Sequence, residues 1–171
     1  MSSGVAVEER FKKLASDNVA LKKYLYILAR IEKGQLVYVD SERISTAPIE
    51  DDDAIYQQFH KDCEEKIVVH SCQVKDETPR AAFTRIKEIL TAEPAAFMIY
   101  NCVLDDGSKR SKSFLIRWVD DDKANMRTKM VYASSSSGIG SKLPNLASNI
   151  IQCNDGSELT YDIFKGYCKT L

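Results

Sequence analysis

A chain of 171 residues with 44% hydrophobic content and a formal net charge of −1 suits one globular domain with a sizeable core, and its charge excludes broad affinity for nucleic acid, which requires a basic excess or a dense basic face. No apolar run approaches the roughly 18 residues of a membrane span, and no basic-then-apolar leader follows Met1, so a soluble, cytoplasmic, non-inserted protein is expected. Five cysteines, an odd number at irregular spacing, argue for reduced thiols rather than a disulfide framework.

The first periodic element follows Glu8-Glu9, where Phe11, Leu14 and Ala15 recur at helical spacing. A helix from about Glu8 to Val19, packed on a sheet, is predicted. Tyr24 to Ile31, the turn Glu32-Lys-Gly34 and Gln35 to Val39 are rich in aromatic and β-branched residues and read as a hairpin. Ile55, Tyr56, Phe59 and Cys63 then form one helical stripe, and Ala82, Phe83, Ile86, Ile89 and Leu90 form another after Pro79. Ala96 to Leu104 and Ser113 to Val119 are apolar strands flanking the polar turn Asp105 to Lys112. Toward the end, Ala147 to Cys153 predicts a strand and Asn154-Asp-Gly156 a turn. Ser157 is expected to cap a helix with Leu159, Ile163, Phe164 and Tyr167 inward.

The most informative stretch lies between, from Arg127 to Ser135. At 100° per residue, Arg127, Met130 and Ser134 share one side of a helix, while Tyr132, Ser135, Ile139 and Leu143 fall on a different side. One side can then be buried while the other is displayed. An exposed methionine beside a guanidinium, with the Lys129 ammonium nearby, suits docking onto an acidic protein groove. Glycine costs about 1 kcal/mol relative to alanine within a helix, so Gly138 and Gly140 leave two outcomes open: the helix continues through them, or it bends or ends near Ser136.

Arg127-Thr-Lys-Met-Val-Tyr-Ala-Ser-Ser135 resembles the actin-binding helix of the actin-depolymerising factor/cofilin family, and Met1-Ser-Ser-Gly-Val5 resembles that family's N-terminal arm. The two strands Ala96–Leu104 and Ser113–Val119 are similar to its central strands. The resemblance implies an α/β fold, a single ADF-homology domain over residues 1–171 with a central mixed sheet of five to six strands flanked by helices. It further implies binding to actin monomers and filaments, filament severing and depolymerisation, and no enzymatic activity or cofactor. Contact residues implied for monomer and filament are Ser3, Gly4, Val5, Arg127, Lys129, Met130, Ser134 and Ser135; on the filament side they are Lys109, Arg110, Lys112, Glu158, Asp162 and Lys165. Ser3, or its neighbour Ser2, is the implied phosphorylation site, where about −1.5 to −2 charges at pH 7 would oppose docking to an acidic surface. The implied protein is a monomer associated with the actin cytoskeleton. Phosphoinositide binding is a weak expectation, because Gly140 and Ser141 stand where many relatives carry lysines and only Lys142 remains.

The family has one helix where this chain shows two stripes. The stripe after Pro79 is taken as the family helix and about Ser41 to Thr78 as an insertion; the alternative places the family helix at Asp52 to Glu65 and the insertion after it. Two other functional readings stand beside this one. Ser108-Lys-Arg-Ser-Lys112 is closer to coactosin, a relative that binds filaments without severing. His60, Cys63, His70 and Cys72 are metal-ligand types, but their spacing only partly suits a zinc site, so no metal is expected and a redox or metal-dependent role is the least favoured. Ser134 to Lys142 fails both the P-loop and the dinucleotide spacing.

Overall fold

The computed structural model describes residues 5–9, 11–15, 24–43, 78–105, 110–144 and 146–169. Its strands are β1 (Ala6–Val7), β2 (Tyr24–Glu32), β3 (Gln35–Arg43), β4 (Ala95–Val103), β5 (Ser111–Val119) and β6 (Ile150–Cys153). Residues 11–15 form helix α1, followed by α2 (Pro79–Thr91), α3 (Met126–Lys142) and α4 (Tyr161–Lys169). The strands make one mixed sheet in the order β1-β3-β2-β4-β5-β6. The four central strands pair antiparallel, and the outer pairs β1/β3 and β5/β6 are parallel.

The hairpin between β2 and β3 closes in two residues, Lys33 and Gly34, both with positive φ (50° and 77°). That backbone matches the twist of paired strands, and glycine supplies its second position without steric cost. Alternation along the strands then sends side chains to two faces. On one face Ile27, Leu36, Phe97, Ile99 and Leu115 meet Phe11 and Leu14 of α1 and Tyr132, Ile139 and Leu143 at and beyond α3. On the other, Met98, Tyr100, Phe114, Ile116 and Trp118 meet Phe83, Ile86 and Leu90 of α2 and Phe164 of α4. Burying both faces of a mixed sheet under helices is the expected α/β sandwich. Four of its side chains, Phe83, Tyr100, Phe114 and Phe164, pack ring to ring with centroids 5.4–5.8 Å apart.

Several boundaries differ from expectation. β3 extends past Val39 to Arg43, because buried Glu42 is held by a bidentate pair with Arg85 of α2, at 2.6 and 2.7 Å. The remainder of the expected insertion up to residue 77, with His60, Cys63, His70 and Cys72, lies outside the described residues. α2 starts as expected at Pro79, with the Thr78 hydroxyl accepting from the Ala81 amide at 3.2 Å. The strand expected from Ala147 is a short 3₁₀ turn over Ala147–Asn149 and becomes strand only at Ile150, where pairing with Leu115 begins. Ser157 is not the cap of α4. Asp155 caps a 3₁₀ turn, Gly156–Glu158, and the Thr160 hydroxyl accepts from the Ile163 amide at 3.3 Å to start the helix.

α3 continues unbroken through Gly138 and Gly140 to Lys142. Packing outweighs the glycine cost: Ile139 is fully buried, and a Cβ on Gly140 would stand 2.9 Å from Cδ1 of Ile150. The missing side chain lets the helix approach the start of β6.

Candidate protein-docking site

Three features seat α3 on the sheet. Asn125 caps it, its side chain accepting from the Thr128 amide at 2.8 Å. Tyr132 lies flat against Phe97, centroids 5.3 Å apart and planes at 14°. Its hydroxyl accepts from the Ile31 amide at 3.1 Å and donates to the Ala95 carbonyl at 3.3 Å; burial raises its pKa. Farther along, Ser136 accepts from Nη1 of Arg117 at 2.8 Å, while Nη2 of Arg117 donates to Oε1 of Gln152 at 2.6 Å. Burial leaves Nε of Arg117 without a partner and lowers the guanidinium's pKa.

The loop preceding α3 is braced by polar contacts. Oδ1 of Asp120 accepts from the amides of Asp122 and Lys123 at 2.8 and 3.1 Å. Lys123 donates to the Thr91 carbonyl at 2.9 Å. The Asp121 amide donates to the Asn154 carbonyl at 3.2 Å.

With Tyr132 and Ile139 turned to the sheet, the outward side of α3 carries Met126, Arg127, Met130 and Ser134. Met126 and Met130, one helical turn apart, are 71% and 66% exposed. Sequence reasoning missed Met126; recognising Asn125 as the cap would have put it four residues before Met130 on the same face. Lys129 is only partly displayed. Its ammonium donates to the Asp121 carbonyl at 2.8 Å and stands 3.9 Å from that residue's carboxylate. Ser135 does not join the displayed face: it is fully buried and its hydroxyl donates to the Val131 carbonyl.

The N-terminal arm enters beside the other end of the helix. Val5 is buried, and its carbonyl accepts from the Lys142 ammonium at 2.7 Å. Ser2, Ser3 and Gly4 lie outside the described residues.

The residues expected on the filament side gather at the β4–β5 turn and α4. Lys109 lies outside the described residues; Arg110 is exposed. Lys112 sits 5.4 Å from the Phe114 ring and 3.5 Å from the Tyr167 carbonyl. The other three are engaged within the fold. Glu158 accepts from the amides of Asn154 and Asp155 at 3.1 and 3.2 Å. Asp162 accepts from Nη2 of Arg80 at 2.8 Å, and Lys165 pairs with Asp105, which also accepts from Nε of Arg80 at 3.0 Å. The Lys165 and Arg80 hydrogen bonds hold Asp105 below the usual carboxylate range, and Arg80 does the same for Asp162. Ile163 and Tyr167, expected inward, are 40% and 43% exposed. Phe164 takes the core position between them, and its neighbours at one removed and three along turn to the rim.

Among the described residues, two buried cysteines have raised pKa values. Burial pushes Cys153 up to about 12, and Cys102 is raised above the ordinary thiol value by hydrogen bonding with Cys168 and by burial. Neither is poised as a thiolate nucleophile. No group of described residues has the makings of a metal site, and no described helix is long and apolar enough to cross a membrane. Ser134 to Lys142 is helix interior, not a phosphate-cradling loop.

A mixed sheet displaying one anchored helix with exposed methionines and an arginine offers a surface of the kind that docks proteins. The model of the family described as "Cofilin/tropomyosin-type actin-binding protein" matches residues 50–169, and the chain belongs to this actin-depolymerising factor/cofilin family of actin-binding domains. It is 26% identical over 164 residues, 96% of this chain and 94% of the relative, to actin-depolymerizing factor 7 of Arabidopsis thaliana. The fold is similar to that of actin depolymerization factor 2 of Plasmodium berghei, with TM-score 0.67, 16% identity and all of both chains covered. It is also similar to human coactosin-like protein, with TM-score 0.56, 16% identity, and 98% of this chain and 99% of the other covered.

Proposed function

We propose that this chain binds actin monomers and filaments in the cytoplasm through the outward face of α3 and the N-terminal arm, and promotes filament severing and depolymerisation. The observation that carries this reading is the pair of exposed methionines, Met126 and Met130, flanking exposed Arg127 on a helix otherwise fixed to the sheet. Large apolar side chains left in water on an ordered element mark an interaction face, and the adjoining guanidinium selects an acidic partner. Family membership supplies actin as that partner. The protein acts as a monomer without cofactor or covalent step. Preferential affinity for one filament conformation would shift the filament toward that state and loosen its subunits, since a ligand moves an equilibrium only by its differential affinity. Phosphate on Ser3 or Ser2 would weaken docking by adding negative charge beside an acidic partner.

A second reading, filament binding without severing as in coactosin, is favoured by one feature of α3. Beyond Ser134 its outward side offers Ser137 and Ser141, and its remaining cation, Lys142, is turned to the Val5 carbonyl. That leaves little positive charge for a monomer contact or for a phosphoinositide. Arg110 and Lys112 on the β4–β5 turn would then carry more of the binding. Sedimentation of preformed actin filaments with increasing protein, beside an R127A/K129A variant, separates the readings. A severing factor moves actin into the supernatant and the variant does not; a coactosin-like binder pellets with intact filaments. Failure of the wild-type protein either to pellet with filaments or to shift actin would overturn both.

A further inference from the structure

β1 is two residues long and lies at the sheet edge. Its ladder bonds run to β3: the Ala6 amide donates to the Gly34 carbonyl at 3.0 Å and the Glu8 amide to the Leu36 carbonyl at 3.1 Å. Lys142, 137 positions away in the last turn of α3, reaches the same short segment from the helix side, at the Val5 carbonyl. The contact joins the two elements on which docking depends. Val5 and Val7 share the apolar cluster of Ile139 and Leu143, so the aliphatic part of the junction is already packed. Packing alone lets a short strand slide or lift; a charge-assisted hydrogen bond fixes both distance and direction. The ammonium is also well placed electrostatically, near the negative end of α3.

We propose that Lys142 is a positioning residue: it clamps the root of the N-terminal arm to the end of α3, so that arm and helix present one continuous docking surface. Lys142 is itself exposed, and its ammonium is tied to the chain's own backbone at Val5. The consequence for actin rests on the docking function proposed above; the clamp itself does not.

Two measurements on the full-length chain decide it. Amide hydrogen exchange at Ala6 reports the clamp without actin. K142M should accelerate exchange there by about ten- to a hundredfold, the range for losing one charge-assisted hydrogen bond, while exchange in β4 stays unchanged and K142R, which keeps a donor, restores much of the protection. Unchanged exchange at Ala6 in K142M overturns the clamp. Affinity for monomeric actin is then measured for wild type, K142M, S3E and the double variant. If Lys142 acts through the arm, K142M weakens binding severalfold alone and adds little once S3E has impaired the arm. Independent, multiplying losses would mean that Lys142 touches actin itself and overturn the positioning role. Absence of actin binding by the wild type would overturn the docking function instead, with Ala6 exchange still deciding the clamp.

Discussion

Truncating Met130 to alanine should weaken actin binding without weakening the fold. Met130 is 66% exposed, so two thirds of its surface remains available to be covered by a partner. Fully burying a methionine side chain contributes about 1.5–3 kcal/mol; scaled to the exposed share, M130A should lose about 1–2 kcal/mol of binding, or about 5- to 30-fold in Kd. Alanine is the strongest helix former, and Met130 fills no core position, so the urea midpoint should stay at or slightly above wild type. Titration of labelled monomeric actin gives the first quantity and urea denaturation the second. S137A, on an outward position of the same helix but away from the methionines, is the control. A change in Kd below twofold in M130A, with the fold intact, would refute the claim that this face carries the contact. An equal loss in S137A would refute the narrower claim that the methionines carry it.

Two further perturbations probe the frame that holds the site. The Glu42 side chain is 6% exposed and Arg85, its bidentate partner, is 38% exposed; R85M should cost about 3 kcal/mol in urea unfolding because it strands a buried carboxylate, while E42M/R85M should recover most of the loss. A double variant as unstable as R85M would contradict that account. R80M should be less stable than wild type at neutral pH, because Asp162 loses the cation that holds its folded-state pKa below the ordinary one, and Asp105 keeps Lys165 but loses the second of its two cations. Stability from a depressed carboxylate pKa is present above the unfolded value and is lost as pH falls through the folded one. The gap between wild type and R80M should therefore close as pH falls below the ordinary carboxylate range and shrink in high salt; a gap independent of pH would exclude the ion pairs as its source.

Local pattern carried much of this architecture in the sequence. The β2–β3 hairpin, β4, β5 and α2 follow from runs and stripes whose period is independent of distant neighbours. The displayed side of α3 was legible for the same reason: Tyr132 and Met130 are two residues apart, and only one of them can face the sheet. What failed depended on three-dimensional company. Ile163 and Tyr167 look like core residues by composition, but Phe164 fills the aromatic cluster of Tyr100 and Phe114 and leaves them at the rim. Asp162 and Lys165 look like solvated charges available to a partner until Arg80 and Asp105, distant in sequence, are brought against them. Propensity alone could not decide whether α3 survives Gly140, because its survival depends on the close approach of Ile150.

The stacked Tyr132 ring, with a hydrogen bond to each of Ile31 and Ala95, gives α3 the character of a beam bolted to a plate. Those two residues lie on β2 and β4, neighbouring strands at the middle of the sheet. Tyr132 thus ties the part of the helix between Met130 and Ser134 to the central strands. Little backbone entropy of the helix remains to be lost when a partner docks, the ordering cost falling on the exposed methionine side chains. Whatever docks there meets a helix whose backbone position is already set by the middle of the sheet.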